Sequence, residues 1–510
     1  MEIGAGCGAI TRYLGETGAQ VTALEGSLRR AHITAERCRD LPNVEVVAGN
    51  FDTFPEGGGY DWVIAIGVLE YANLFINREQ AAEHLLTKVR RSLSPSGRLV
   101  VAIENQFGLK YWAGASEDHV GRPFFGVENR YSEATATTYG RIHLESLLRA
   151  AGFAHQELLL PYPDYKLPTT IIRAAALSGK DLSVPSLLHG LLARDYGTEW
   201  YSFVDEHRIY GLLQRNGLVS DLANSFLVIA SPDGDPREAT ASGDVWIYSV
   251  GKRLTRFAKE VTISGGRSST REVQVGRIGE SAECAFEMNA GLRGVQWLES
   301  GSYGSGDTEA VIVYQSFATE SAAAIAGAFQ RWAEFVFERA KPGPVSSASA
   351  LGGWVVDGAL LDLIPKNVIF STSSDPHVFD LEWRIDGDIP LGWLLFRGVE
   401  QCRRFQDPRE VMLELCRLLG LQMAEEDFLC AEELEQDFQS SVTVPTTYEK
   451  APPTDLAQLE FRLLTAESEA KRAVDELDAI MRRRIVRAGL SFARRVRPLF
   501  TFRRSWLRAR

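Results

Sequence analysis

The chain opens with the stretch Glu2-Ile3-Gly4-Ala5-Gly6-Cys7-Gly8. An acidic strand residue that runs into a Gly-x-Gly-x-Gly loop lets backbone N–H groups come close to a small nucleotide-like ligand, because glycine has no Cβ to keep the ligand away. The spacing differs from Gly-x-Gly-x-x-Gly, the pattern that places a pyrophosphate at a helix N-terminus. The stretch therefore predicts the end of a strand and a ligand-binding turn in an α/β fold.

Strand and helix patterns alternate behind these glycines, which is typical of a doubly wound sheet. Glu25 ends the second predicted strand, where a carboxylate can accept hydrogen bonds from ribose hydroxyls. Asn50, Phe51 and Asp52 follow the third, where an adenine edge would be read. A helix is predicted at residues 9–17, and strands are predicted at residues 20–24, 44–47, 60–67, 93–103 and 222–230.

The ordered motifs over the first 104 residues resemble those of class I S-adenosylmethionine (SAM) methyltransferases, with a Rossmann-like sheet. The resemblance implies a domain over residues 1–232. Motif I of that family follows several apolar strand residues, whereas this chain begins at Met1, so the first strand is truncated; either the start codon is placed too late or the gene has lost its front end. The implied cofactor is SAM, held by residues of these motifs: Glu2, Gly4, Gly6, Gly8, Glu25, Asn50, Phe51, Asp52 and Gly67.

The loop after the fifth strand, residues 104–126, is predicted to cover the methyl acceptor, since ligands of open α/β sheets bind beyond the carboxyl ends of the strands. Its aromatic rings, interleaved with polar side chains, suit a sugar. His119 is the candidate base for a sugar hydroxyl, and a hydrogen-bonded structural histidine is the alternative. The predicted substrate-binding residues are Asn105, Lys110, Asp118 and Arg122. Together with residues 161–168, the loop resembles bacterial methyltransferases encoded with polysaccharide glycosyltransferases.

A second constellation lies within residues 244–436, which follow a linker rich in Pro, Gly, Asp and Ser. Asp362 precedes Asn367, and Asp380 follows at a strand end. The spacing resembles the catalytic loop and metal-binding Asp of protein-kinase-like phosphotransferases, in which one Asp accepts the hydroxyl proton and the Asn and second Asp hold Mg²⁺. The resemblance implies an α+β kinase-like domain, with Asp362 as catalytic residue, Lys259 as the phosphate-binding lysine, and Mg²⁺-ATP as ligand.

Other parts of the kinase pattern are less complete. Glu283 or Glu287 is the predicted partner of Lys259, and residues 311–316 are predicted as the hinge strand. Leu360-Leu361 replaces the usual His-Arg or His-Gly, Glu382 stands where glycine often sits, and a glycine-rich loop before Lys259 is not evident. A kinase-like relic that kept its fold, or a coincidence of strand and loop residues, is the alternative.

The C-terminal arm predicts an interaction segment. A 3-4 spacing of apolar residues over 454–480 is typical of a coiled coil, and therefore of a homo-oligomer, with a solitary amphipathic helix as the alternative. Residues 481–510 hold eleven arginines, no acid and a row of aromatics, which indicates an anionic membrane surface rather than nucleic acid. The whole chain carries −12, so residues 1–480 carry −23.

The six cysteines are scattered without Cys-x-x-Cys or metal-ligand spacing, which favours reduced thiols in a cytosol and leaves no confident metal site. A signal peptide is not visible in the sequence. The apolar runs are much shorter than the roughly 20 residues of a membrane-spanning helix. We therefore expect a cytoplasmic protein on the inner membrane surface.

The order of the segments resembles the bifunctional methyltransferase–kinases that terminate O-antigen chains in lipopolysaccharide synthesis. The resemblance implies an O-methyltransferase for a cell-surface glycan or its lipid-linked precursor, with glycosyltransferases as partners. Two alternatives stay open. One is a bifunctional methyltransferase/kinase chain terminator, and the other is a non-catalytic scaffold for glycosyltransferases.

Overall fold

A computed structural model describes most of the chain up to residue 444 and a few residues beyond it. The described residues are 1–179, 181–191, 201–234, 242–251, 253–265, 271–279, 284–316, 321–343, 350–371, 375–402, 407–444, 454–455, 471–472, 474 and 476. Met1–Thr454 form one unit, and Asp455–Arg510 form a second.

The front half of the first unit alternates strands and helices as predicted. Its strands are β1 (Glu2–Ile3), β2 (Val21–Glu25), β3 (Val44–Ala48), β4 (Tyr60–Ile66), β5 (Leu93–Glu104), β6 (His155–Tyr162), β7 (Thr170–Arg173), β8 (Tyr201–Ser202) and β9 (Ser225–Ser231). Its helices are α1 (Ala9–Glu16), α2 (Leu28–Arg37), α3 (Ala72–Phe75), α4 (Ala81–Ser92), α5 (Leu109–Trp112), α6 (Arg141–Ala150), α7 (Val184–Leu188), α8 (Glu206–Arg215) and α9 (Val219–Leu222).

The strand order confirms a Rossmann-like α/β sheet in this part of the chain. The order is β3-β2-β1-β4-β5-β9-β6-β7, with β3, β2, β1, β4 and β5 parallel and β9 antiparallel to its neighbours β5 and β6. The strands carry apolar side chains because both faces of the sheet are covered. In β5, Leu99, Val101 and Ile103 are fully buried. The carboxyl ends of β1, β2, β4 and β5 therefore meet at one edge.

The rest of the unit holds strands that are mostly short and five longer helices. The strands are β10 (Val245–Ser249), β11 (Lys259–Ser264), β12 (Glu272–Arg277), β13 (Ala285–Glu287), β14 (Arg293–Gln296), β15 (Gly301–Ser302), β16 (Lys341–Pro342), β17 (Trp354–Asp357), β18 (Val368–Ile369), β19 (His377–Val378), β20 (Trp383–Ile385), β21 (Asp388–Pro390) and β22 (Thr454–Asp455). The helices are α10 (Glu309–Ser316), α11 (Ala322–Phe337), α12 (Leu391–Cys402), α13 (Pro408–Leu418) and α14 (Glu425–Val442).

The sheet does not stop at the predicted boundary between residues 232 and 244. β10 pairs antiparallel with β7, and β11, β12 and β15 extend the sheet to twelve strands. Two hydrophobic cores nevertheless form. One lies under the front sheet, and the other lies among α10–α14 around Phe329, Trp332 and Trp393. Met1–Thr454 is thus one unit, in which Val245 of β10 and Ile263 of β11 belong to the front core and α10–α14 surround the second.

Two local predictions for the middle region are wrong. Residues 311–316, the predicted hinge strand, lie in helix α10, where Val311, Val313 and Tyr314 are buried. Packing against α11 overrides the strand preference of the Val and Ile residues. Glu287 lies on strand β13 rather than on a helix, and it pairs with Arg293 rather than with Lys259. Glu283 lies outside the described residues.

The C-terminal arm is described only in fragments. Residues 471, 472, 474 and 476 are helical; the remainder of the predicted coiled coil beyond residue 455, and the whole basic segment 481–510, lie outside the described residues. Within the part of the chain that the structure describes, the search for a helix both long and apolar enough to cross a membrane finds none.

Candidate functional site

The glycine loop connects β1 to α1 in a conformation that only glycine adopts readily. Gly4, Gly6 and Gly8 have φ values of +72°, +59° and +79°. A Cβ at Gly8 would lie 2.8 Å from Thr34 Cγ2, so a side chain there would push α2 away from the loop. At Gly6 the same atom would meet only Gly4 O, at 3.9 Å. The loop is therefore packed at Gly8 and open at Gly6.

Glu25 lies at the end of β2 with 1% of its surface exposed. Its Oε2 accepts a hydrogen bond from the Gly6 N–H at 2.8 Å, and its Oε1 accepts from the Ser27 N–H at 2.8 Å and from Arg30 Nε at 2.9 Å. The carboxylate thus lies at the glycine loop, as the sequence predicted. Glu2 is also buried and accepts a hydrogen bond from Thr11 Oγ1 at 2.5 Å, which ties β1 to α1. Burial raises the pKa of Glu2.

The residues after β3 are more involved in packing than the sequence indicated. Phe51 is 6% exposed and belongs to the front core. Asp52 Oδ1 lies 3.0 Å from His84 Nε2 on α4, and Lys88 Nζ donates to the Asp52 carbonyl at 2.6 Å. Asn50 Nδ2 donates to the Phe75 carbonyl at 3.1 Å. Asn50 and Asp52 keep exposed surface, whereas Phe51 does not.

Glycines leave open space at this sheet edge. A Cβ built at Gly6, after β1, would be nearly free of neighbours. One at Gly26, after β2, would meet nothing within 4 Å, and one at Gly49, after β3, would meet only Leu24, at 3.9 Å. Glycines after three adjacent strands thus border open space, and Glu25 lies at its edge. These are the features that a ribose with its base requires.

An acidic cluster lies beyond β4 and β5, and we call Glu70, Glu104, Glu117 and His119 the acceptor cluster. Glu70 follows β4, Glu104 ends β5, and the other two lie in the loop after α5. His119 Nδ1 lies 3.0 Å from Glu117 Oε1, and His119 Nε2 lies 3.6 Å from Glu70 Oε1 and 3.9 Å from Glu104 Oε2. The sequence predicted His119 as a site residue, and the structure surrounds it with three carboxylates.

Burial and charge oppose each other in this cluster. Burial lowers the pKa of His119, but the carboxylates of Glu117, Glu70 and Glu104 outweigh it and raise that pKa to about 10. Burial, together with the nearby Glu104, raises the pKa of Glu70 although His119 opposes the shift. Tyr165 donates to Glu104 Oε1 at 3.2 Å, and burial beside these carboxylates raises the pKa of its phenol. The cluster therefore attracts positive charge.

The predicted substrate-binding residues separate into three environments. Lys110 is buried, and its Nζ lies 2.8 Å from Asp118 Oδ2, which also accepts from Lys166 Nζ at 3.2 Å. Burial would raise the pKa of Asp118, but the two lysines lower it to about 2. Asn105 is fully buried and donates to the carbonyls of Asp221 and Ala223 at 2.8 and 2.7 Å, so its amide holds the loop in place. Arg122 is exposed.

In the middle region, Lys259 forms an ion pair with Asp380 and a second ion pair with Glu382. Lys259 on β11 is 2% exposed and pairs with Asp380 and, at 2.7 Å, with Glu382 Oε2. Arg253 also pairs with Glu382. Burial would raise the pKa of Glu382, but Lys259 and Arg253 lower it to about 2. Lys259 and Asp380 line a cavity of about 460 Å³ between β11, β12 and the residues around β19.

Asp362 is held away from that pair. It is 2% exposed, with Oδ1 accepting from Arg397 Nη2 at 2.8 Å and Oδ2 accepting from the Trp383 N–H at 3.1 Å. Arg397 Nη1 donates in turn to Glu435 Oε1 at 2.6 Å. Asn367 Nδ2 donates to the carbonyls of Asp362 and Asp380, at 2.9 and 3.1 Å. Both Asp362 oxygens and the Asn367 amide thus have partners within the fold.

The sequence analysis did not assign Glu70, Glu104, Glu117, Tyr165 or Lys166 to the site. A usable signal was present for two of them. Glu104 is the last residue of a buried strand, and Glu70 follows another, and the carboxyl ends of parallel strands meet at one edge. Glu117 lies in the loop that was predicted to cover the acceptor, although it was not selected there, and Tyr165 and Lys166 come from an irregular segment whose contact with Glu104 the sequence does not indicate.

Comparison with known proteins agrees with the front half. Residues 1–99 match a family model described as "Methyltransferase domain". An uncharacterized methyltransferase of Alkaliphilus oremlandii is 29% identical over 102 residues, which are 20% of this chain and 44% of that protein. The chain thus matches less than half the length of that relative. The chain carries a methyltransferase domain, and its middle and C-terminal parts lie beyond these two matches.

Solved structures of SAM-dependent methyltransferases are similar to part of the chain. One from Thermotoga maritima, described as a possible histamine N-methyltransferase, has 16% identity and a TM-score of 0.26, covering 46% of this chain and 80% of that one. The phosphoethanolamine N-methyltransferase 2 of Haemonchus contortus, solved with S-adenosylhomocysteine, has 15% identity and a TM-score of 0.27, covering 46% and 48%.

Proposed function

We propose that this chain is a SAM-dependent O-methyltransferase that acts on a hydroxyl of a cell-surface glycan or of its lipid-linked precursor. One observation carries the proposal. The glycine loop with Glu25 and the acceptor cluster lie at the carboxyl ends of neighbouring strands of one sheet. A nucleoside site and a polar acceptor site are thereby next to each other, which methyl transfer requires.

The residues of the glycine side would hold the cofactor. Glu25 would accept hydrogen bonds from ribose hydroxyls, and the open space beside Gly6 would take the amino-acid end. When bound, SAM supplies an electrophilic methyl group on a positively charged sulfur. Glu70 and Glu104, each 1% exposed, place negative charge at the neighbouring strand ends, and this charge favours a cationic ligand.

The acceptor cluster would take the proton of the acceptor hydroxyl. His119 Nε2 is the candidate atom, since Glu117 holds Nδ1 and turns Nε2 toward Glu70 and Glu104. Because the pKa of His119 is raised to about 10, the neutral imidazole that accepts this proton increases in population as the pH rises toward 10. Removing the hydroxyl proton leaves an oxygen with an electron pair for the methyl carbon. Burial of the cluster excludes water that would compete as a proton donor or acceptor.

A sugar is the proposed acceptor because aromatic and polar side chains occur together around the loop. Trp112 and Phe203 are 46% and 51% exposed, and Phe203 donates its N–H to the Ala113 carbonyl beside Trp112. Phe124 lies 6.4 Å from Phe203 between ring centroids. Aromatic faces and polar side chains that occur together in and against one loop suit the C–H faces and hydroxyls of a carbohydrate.

Binding of S-adenosylhomocysteine to the full chain tests the cofactor site. We expect Glu25→Gln to weaken binding about tenfold or more in calorimetry, equivalent to about 1.4 kcal/mol. Glu45→Gln is the matched control, because Glu45 is an exposed carboxylate on the neighbouring strand β3. Equal affinities for the wild type and Glu25→Gln would exclude the site assignment.

A second candidate activity is Mg²⁺-ATP-dependent phosphotransfer in the middle region. The cavity lined by Lys259 and Asp380 favours it, whereas the engagement of Asp362 by Arg397 favours a kinase-like relic. A thermal shift with Mg²⁺-ATP distinguishes them, since a ligand at 100 times its dissociation constant adds about 2.7 kcal/mol of stability. A shift that Asp380→Asn abolishes would support the enzyme, and we expect no shift.

The predicted partners remain part of this proposal. Residues 454–480 would form a homo-oligomeric coiled coil near glycosyltransferases, and residues 481–510 would hold the protein on an anionic membrane at the cytoplasmic face, without binding nucleic acid. A chain ending at Ile480 should stay in the supernatant while the full chain sediments with phosphatidylglycerol vesicles, and salt should release it. Equal sedimentation would exclude this role of the tail.

A further inference from the structure

We propose that Glu70, Glu104 and His119 bind a divalent metal ion at the acceptor end of the site; its role in holding the acceptor oxygen rests on the proposed function, but binding itself does not. One carboxylate oxygen from each glutamate and one nitrogen of His119 lie within 4.8 Å of one another. Bonds of about 2.0–2.3 Å separate the ligands of one ion by roughly 3–4.5 Å. The three atoms need only a small contraction to reach that geometry.

The two glutamates have oxygens that the fold leaves without partners. Oε2 of Glu70 and Oε2 of Glu104 are buried and have no hydrogen-bond partner among the described residues. Each of the two residues is 1% exposed. A buried carboxylate oxygen without a donor is costly, and a cation is the ligand that removes this cost. Glu104 Oε2 lies 3.9 Å from His119 Nε2, so it faces the centre of the three ligands.

His119 is oriented as metal-binding histidines are. Glu117 Oε1 lies 3.0 Å from Nδ1, and Glu117 Oε2 accepts from the backbone N–H groups of His119 and Val120 at 2.9 and 2.6 Å. A carboxylate that holds one ring nitrogen fixes the tautomer and leaves the other nitrogen for the metal. Nε2 is the nitrogen that faces Glu70 and Glu104.

The charged side chains around the cluster carry an excess of negative charge that a divalent cation can balance. The carboxylates of Glu70, Glu104, Glu117 and Asp118 lie here against two ammonium groups, which belong to Lys110 and Lys166. These four carboxylates outnumber the two ammonium groups by two. One divalent ion balances that excess.

The types of ligand atom indicate which metal ion would bind, and the position of the cluster indicates what the ion would do. One imidazole with two carboxylates suits first-row ions such as Mn²⁺, Fe²⁺ or Zn²⁺ better than Ca²⁺. A Cβ at Gly67 would lie 3.6 Å from Glu70 Oε1, so the cluster borders the strand end predicted to line the cofactor. The ion would hold and polarise the acceptor oxygen there. Metal binding by His119 Nε2 and proton transfer through the same atom are alternatives, and the metal-binding experiment distinguishes them.

Binding of Mn²⁺ alone to the full chain tests the proposal. Mn²⁺ is the probe because it prefers oxygen and nitrogen ligands to thiolate, which excludes the six cysteines. After removal of metals with a chelator, we expect loss of the free-ion electron paramagnetic resonance signal at one ion per chain. His119→Ala and Glu70→Gln should weaken binding by about 100-fold, and Glu117→Gln by about 10-fold.

His155→Ala is the matched control, because His155 is exposed and lies on β6, away from the acceptor cluster's segments. Circular dichroism melts show which variants are folded, and the near-isosteric Glu70→Gln covers the case in which His119→Ala fails to fold. Absence of binding at millimolar Mn²⁺, or equal binding by wild type and Glu70→Gln, overturns the proposal. S-adenosylhomocysteine affinity without metal is measured separately, so failure of the cofactor site gives a different result.

Discussion

The molecule contains two buried groups of charged side chains that differ in how they are balanced. In the middle region, Asp380 and Glu382 pair with Lys259, Glu382 also pairs with Arg253, and Asp362 pairs with Arg397. In the acceptor cluster, Lys166 neutralises Glu104, whereas His119 is the one ion-pair partner that the described residues offer to Glu70 and Glu117.

The difference separates a structural network from a binding site. A buried ion pair is tolerated when each charge has an opposite partner. Removing either partner then destabilises the fold, because the other charge stays buried without compensation. A group of like charges kept together lowers stability, and the fold retains it where a ligand supplies the missing charge. The comparison therefore favours a ligand site at the acceptor cluster and a structural role for the middle network.

The largest expected effect comes from removing the cation of the middle network. Arg397→Met leaves the buried carboxylates of Asp362 and Glu435 without their guanidinium, which should lower the unfolding free energy by about 3–5 kcal/mol. Arg417→Met is the control, because Arg417 is exposed and pairs with Glu414 on the helix surface. Chemical denaturation measures both variants. A loss below about 1 kcal/mol for Arg397→Met would remove the distinction drawn between the two groups.

Acid should weaken the same network. The pKa of Glu382 is lowered from 4.5 to about 2 in the folded protein, so the stabilisation is complete above pH 4.5 and is lost as the pH falls toward 2. A lowering of this size corresponds to about 3 kcal/mol. Denaturation midpoints between pH 7 and pH 2 measure it. Glu382→Gln should flatten the curve over that interval, and an unchanged slope would show that Glu382 does not contribute.

A smaller change, with the opposite sign, is expected in the acceptor cluster. Glu70→Gln removes one of two adjacent buried carboxylates, so the unfolding free energy without metal should stay constant or rise by up to about 1 kcal/mol. Chemical denaturation in a chelating buffer measures the effect, with Glu382→Gln measured in parallel for comparison. If Glu70→Gln were as destabilising as Glu382→Gln, the acceptor cluster would be a structural network too.

The smallest effect concerns thiols and leaves the fold unchanged. Cys7 in the glycine loop is exposed, whereas Cys402 and Cys416 are buried in the second core, where burial raises each pKa to about 12. Iodoacetamide at pH 7.5 should therefore label Cys7 and spare the other two, since the thiolate is the reactive form. Peptide mass spectrometry reports the sites. S-adenosylhomocysteine should slow labelling at Cys7, and the exposed Cys430 serves as the internal control.

The front half was predictable because local pattern and tertiary structure agree there. Buried parallel strands have apolar runs, their ends carry Gly or acidic residues, and the predicted strands at 44–47 and 60–67 lie within one residue of β3 and β4. Residues 311–316 failed because a short apolar run suits either a buried strand or a buried helix. Only the contact of α10 with α11 decides between them.

The site was predictable where one motif supplies it and not where several segments converge. Glu25 and the glycines come from one βαβ unit, so spacing alone places them together. The acceptor cluster joins residues after β4, at the end of β5 and in the loop that follows α5. Asn105 shows the reverse case, because a polar residue in a predicted site loop turned out to hold backbone carbonyls.

The pairing of β7 with β10 has a consequence for dividing this chain into pieces. A front fragment that stops before β10 would leave the β7 backbone at Thr170–Ile172 without its neighbouring strand. Such a bare strand edge recruits other chains, so the fragment would aggregate even though its own hydrophobic core is intact. Any gene rearrangement that separated the two halves would have to supply a replacement strand. Because the two halves share this sheet, we expect them to be inherited together in one gene.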